Sequence, residues 1–138
     1  MKSVNPYLNF NGQTEAAFNF YQSVFGGELE ISRYGDLDDN MGATGETLNL
    51  VANASLSLTG DIKLFGSDIL ESLGQTLIRG NDFHINLETE SEEETKQLFG
   101  KLTEHGEIQM PLEHTGWAEK FGMVKDQFGI QWMIYYTG

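Results

Sequence analysis

The chain has 138 residues, a length that suits one compact unit or two small fused modules. It carries 21 acidic against 8 basic residues, a formal charge of −13 that repels phosphate backbones and disfavours nucleic-acid binding. Cysteine is absent, which excludes disulfides, thiolate metal sites and a cysteine nucleophile, and no apolar run approaches the ~20 residues that span a bilayer.

The opening stretch "MKSVNPYLNF" has no apolar signal core, so a cytoplasmic location and no membrane partner are expected. Within it, "PYLNF" (6–10) reads as a short strand. "TEAAFNFYQSVF" (14–25) places Ala17, Phe18, Tyr21, Val24 and Phe25 at helical spacing, which predicts a helix with one buried face. Gly26 and Gly27 end it, because glycine readily takes the left-handed conformation that closes helices. They follow a helix instead of opening one, so they do not make a phosphate-cradling loop. "ELEISRY" (28–34) is a second strand. "LNLVANASLSL" and "IKLFGS" flank the turn "TGD" (59–61) as a hairpin. The stretch "ILESLGQTLIRGND" (69–82) reads as a linker with at most a short helix.

The same order then recurs. "FHINLE" (83–88) is a strand. Ser91 and Glu94 form a capping box that opens a helix over 91–104, and Thr95, Leu98, Phe99 and Leu102 line its inner face. The acidic run "ETESEEE" (88–94) suits that helix start, where the dipole favours negative charge. Gly106 stands where Gly27 stands in the first half, and "EIQMPL" (107–112) follows as a strand. "KFGMVK" and "IQWMIYY" flank "DQFG" as the closing hairpin. Each half therefore reads strand–helix–strand–strand–strand. The expected fold is α+β: a single domain, residues 1–138, built from two βαβββ modules (about 4–68 and 82–137). Their curved sheets would form a cup with the helices outside.

This order, with "PYLNFNGQTEAAFNFYQSVFGGEL", "LFGSD" (64–68) and the spacing Trp117-x3-Phe121-Gly122-x3-Asp126-x-Phe128-Gly129-x2-Trp132, resembles the glyoxalase/bleomycin-resistance/dioxygenase (vicinal oxygen chelate) superfamily, and within it the PhnB-like proteins. The resemblance covers nearly the whole chain. It implies a homodimer and a pocket for a small molecule. In the metalloenzymes of that superfamily, four His or Glu side chains from four strands hold a divalent ion that stabilises charge on a substrate oxygen. Matching strand by strand puts those positions near Pro6, Ser57, His84 and Met133. Of these only His84 is a usual ligand, and "IQWMIYY" contains no His, Asp or Glu. No metal and no other cofactor is therefore expected.

Five residues are candidates for the ligand site: Ser57, His84, Trp117, Phe121 and Met133. His84 is also the candidate acid–base, because an imidazole exchanges a proton near neutral pH, although a purely structural hydrogen-bonding role suits it too. Trp117 and Phe121 would sit near the pocket mouth, whereas Trp132 reads as core. His114 reads as a solvated loop residue, His105 as a helix-end residue, and Arg33 as half of a surface ion pair. Two functions stay open. One is a module that binds a small, partly apolar or aromatic ligand without chemistry. The other is an enzyme of the same superfamily (a lyase, isomerase or related activity) that uses His84 as acid–base or as a partial metal ligand. The methyltransferase label carried by some relatives finds no glycine-rich loop of the needed geometry, and the phosphonate association finds no basic cluster.

Overall fold

A computed structural model describes residues 1–138. It divides into two compact units, Met1–Ile78 and Arg79–Gly138, with the boundary inside the expected linker. The first unit runs β1 (Tyr7–Phe10), α1 (Thr14–Phe25), β2 (Leu29–Arg33), β3 (Val51–Ser57) and β4 (Lys63–Asp68). The second runs β5 (Ile85–Glu88), α2 (Glu92–Leu102), β6 (Glu107–Glu113), β7 (Lys120–Lys125) and β8 (Gln131–Tyr136). Each unit thus has the predicted strand–helix–strand–strand–strand order. The sheets share one topology, β1-β4-β3-β2 and β5-β8-β7-β6, with a parallel pair at one edge and antiparallel pairs elsewhere.

Each helix covers one face of its own sheet. Ala17, Phe18, Tyr21 and Val24 are buried on α1, and Phe18 packs edge-on against Phe10 at 6.4 Å. Gly66 lies beneath Phe18, where any larger residue would collide with the ring. In the second unit Gly122 lies beneath Phe99 of α2 for the same reason. The two glycines mark where helix and sheet come closest.

The helix starts differ. Gln13, at the N-cap of α1, makes no side-chain cap bond. The free N–H of Thr14 is met by Asp68 from β4, at 3.1 Å, and the same Oδ1 accepts from the Thr14 hydroxyl at 2.7 Å. On α2, Ser91 Oγ accepts from the Glu94 N–H at 3.0 Å, as its sequence predicts. The returning Glu94 carboxylate, however, takes the N–H of Glu90, one residue before the cap. The helix stops at Leu102, two residues short of expectation, because His105 turns left-handed at φ 55°. Histidine is among the non-glycine residues that tolerate that region. Gly106 keeps a different need for glycine. A Cβ there would strike the Lys125 carbonyl, as one on Gly27 would strike the Ser57 carbonyl.

The phenol of Tyr34 is buried and donates to the Asp68 backbone carbonyl at 2.7 Å. Burial first, then Tyr7 and Asp68, push its pKa above the ordinary value of 10.0. The unfolded chain therefore ionises this group first as pH rises, so the stability it contributes is fully present below about pH 10 and is lost above it. Arg33 pairs with Glu15 at 2.6 Å on the surface, with both side chains well exposed, as its position in an acidic chain suggests. No helix is long and apolar enough to cross a membrane.

Candidate functional site

The sheet of the second unit has one face under α2 and one free of helix. Strand alternation sorts the side chains. Ile134, Trp132, Gly122 and Val124 point to the helix side, and Trp132 is fully buried there. Its indole N–H donates to Asp126 Oδ2 at 2.8 Å. Asp126 Oδ1 accepts from the N–H groups of Phe128 and Ile130, which holds the "DQFG" turn, and Gly129 supplies its left-handed residue at φ 89°.

The helix-free face falls into rows fixed by the strand register. Glu88, Tyr135, Phe121 and Glu113 form the first row across the four strands. Asn86, Met133, Met123 and Met110 form the second. Gln131, Lys125 and Glu107 form the third, and His84 lies one pleat beyond Asn86. The face thus grades from aromatic, through thioether, to amide and imidazole. Rows two residues apart are about 6.7 Å apart, so the aromatic and imidazole ends are separated by about 13 Å.

Trp117 caps the aromatic end. Its loop is held by the Thr115 hydroxyl, which accepts from the Ala118 N–H at 3.0 Å. The indole packs edge-on against Phe121 at 4.9 Å and against Tyr135 at 5.6 Å. Phe121 is buried, while Trp117 remains 57% exposed. The Tyr135 hydroxyl donates to Glu88 at 3.3 Å.

At the other end the strand begins at Ile85, so Phe83 and His84 precede it instead of opening it as expected. The Phe83 carbonyl accepts from the Gln131 side-chain amide at 2.8 Å. Gln131 Oε1 accepts from Gln109 Nε2 at 2.7 Å, and Gln109 Oε1 lies 2.9 Å from His84 Nε2. Gln109 and His84 belong to opposite edges of the sheet, about 14 Å apart at ordinary strand spacing. Closing that gap takes both side chains reaching inward across the face. A register shift between Ile108 and Met110 helps, since an extra residue re-aims the side chains around it.

Four of the five candidate residues, His84, Trp117, Phe121 and Met133, therefore belong to this one face. Ser57 does not: it ends β3 in the first unit, opposite Lys63, on a helix-free face dominated by Ser and Asn. Sequence reading missed Tyr135, Met123, Gln131 and Gln109. The first three alternate with core residues in "QWMIYY" and "KFGMVK", a signal visible in the text. Gln109 sits at an irregularity with no sequence mark. His114 is exposed and 3.9 Å from Glu119, in keeping with a loop role. A cleft of about 450 Å³ near Asn11, Ile69, Glu71 and Gln75 contains none of the candidates.

The four positions matched to the family's metal ligands do not make a donor set. Pro6 has no donor, Met133 offers a thioether, Ser57 a hydroxyl, and the His84 Nε2 is engaged by Gln109. No three His, Cys, Asp or Glu side chains come together as a metal centre would need.

Paired βαβββ units of this topology define a glyoxalase-type fold. The model of the Glyoxalase/Bleomycin resistance protein/Dioxygenase superfamily matches residues 3–134, and the chain belongs to that superfamily. It is 33% identical to protein YjdN of Escherichia coli (strain K12), over 95% of this chain and 92% of that one. It is 33% identical to protein PA1353 from Pseudomonas aeruginosa, whose crystal structure superposes with a TM-score of 0.86 over 99% and 98% of the two chains. A putative 3-demethylubiquinone-9 3-methyltransferase, a PhnB protein from Bacillus cereus, is 28% identical, with a TM-score of 0.76 over 98% and 99%.

Proposed function

We propose that this protein is a small-molecule-binding member of the superfamily, and that it holds a flat, largely apolar ligand on the helix-free face of its second sheet without a metal ion. The observation that carries this reading is the graded face itself. Trp117 stands over Phe121 and Tyr135 at one end, with three methionines between it and a hydrogen-bonded imidazole at the other. Aromatic walls bind flat rings by stacking and edge contacts. Methionines adapt their shape to whatever lies on them.

The test uses 2-naphthol as probe, followed by calorimetry with and without a chelator. Binding should be unaffected by the chelator, and Trp117→Ala should weaken it about tenfold. Binding that appears only on adding a divalent ion would overturn the metal-free reading and favour a metalloenzyme. The alternative use of His84 as an acid–base is favoured by one feature. Its Nδ1 has no protein partner and is reached by solvent, so a substrate proton could meet it.

A further inference from the structure

We infer that a chain of side-chain amides fixes His84 as its Nε2–H tautomer, so that Nδ1 is a hydrogen-bond acceptor selecting ligands that carry a neutral donor. This rests on the binding reading above for its ligand, but not for the tautomer.

The polarity follows from one end of the chain. The Phe83 carbonyl can only accept, so the Gln131 atom 2.8 Å from it must be the amide nitrogen. The other Gln131 atom is then the oxygen, and the Gln109 atom 2.7 Å from it must be a donor. That leaves the Gln109 oxygen facing His84 Nε2 at 2.9 Å. An oxygen cannot donate, so the proton sits on Nε2. In the neutral ring Nδ1 then carries the lone pair. Amide orientations in proteins are set by such networks, and reversing any member here would oppose two donors or two acceptors. His84 is half-buried, yet Nδ1 has no protein partner and is open to solvent. An acceptor held in place at the end of an apolar face rewards a ligand hydroxyl or N–H. It gives nothing to an ether of the same shape, and it repels a carboxylate. Gln109 and Gln131 are positioning residues in this scheme, because they act through His84.

Two measurements decide it. The first is a long-range proton–nitrogen correlation spectrum of histidine-labelled protein at about pH 8.5, where an ordinary imidazole is neutral. His84 is identified by its absence in His84→Ala. The expected pattern is pure Nε2–H, relaxing in Gln109→Leu and in Gln131→Leu to the averaged tautomer mixture of an unheld imidazole. An Nδ1–H pattern in the unmodified protein, or an unchanged pattern in both leucine variants, would overturn the relay. The second compares 2-naphthol with 2-methoxynaphthalene, the same ring without the donor. The naphthol should bind about tenfold more tightly, and in His84→Ala the ratio of the two affinities should fall to about one. Equal binding of the two by the unmodified protein would overturn donor selection. Failure of both to bind would overturn the binding reading and the ligand half of this inference, while the spectrum still decides the tautomer.

Discussion

Replacing Trp132 by Ala is expected to destabilise the protein by about 4 kcal/mol, the middle of the range for losing a buried aromatic ring. The side chain is fully buried on the helix side of β8, with Val124 and Ile85 beside it on the neighbouring strands. Its removal leaves a cavity between sheet and helix that packed neighbours fill only in part. It also takes the indole N–H from Asp126 Oδ2, a buried carboxylate oxygen. Trp132→Phe keeps a buried ring but gives up the hydrogen bond and part of the indole's volume, at a smaller cost of about 1–3 kcal/mol. Both are read from the midpoint of denaturant unfolding with the slope unchanged. An alanine variant within 1 kcal/mol of the parent would show that β8 is not packed under α2 in this way.

Asp68→Ala should cost about 3 kcal/mol in the first unit. One carboxylate there accepts from the Thr14 N–H, the Thr14 hydroxyl and the Val51 N–H at 2.9 Å. It closes the start of α1 and fixes the start of β3. Alanine would leave two backbone N–H groups without acceptors in a buried place, and each such loss costs about 1–3 kcal/mol. Asn should recover only part of this, because its amide NH2 would face another donor. Amide exchange should quicken first at the opening turn of α1. Unchanged exchange there would mean that the helix is capped by other means.

These residues also show what a sequence discloses. The helix at 14–25 is legible because its apolar residues repeat with the helical period. Its cap is not, because Asp68 lies 54 residues downstream of Thr14. The strand at 83–88 reads two residues too long because alternation continues through Phe83 and His84. There the Gln131 side chain, not a neighbouring strand, takes the Phe83 carbonyl. Trp132 reads as core from its neighbours alone. The helix-free face is different: Trp117, Phe121, Met133 and His84 are each visible singly, but their rows exist only once the strand register is known. Ser57 stands on β3 of the first unit, the half to which strand matching assigns it. Gln109 depends on a register shift that no residue type announces.

A ligand bound as proposed lies along the helix-free face of the second sheet. Five methionines report on it: Met110, Met123 and Met133 form its middle row, while Met1 and Met41 belong to the first unit. A methyl-carbon spectrum of methionine-labelled protein, titrated with 2-naphthol, reads all five at once. The resonances of Met110, Met123 and Met133 should move together along one binding curve while those of Met1 and Met41 stay in place. Movement of Met1 or Met41 with the other three unchanged would contradict it.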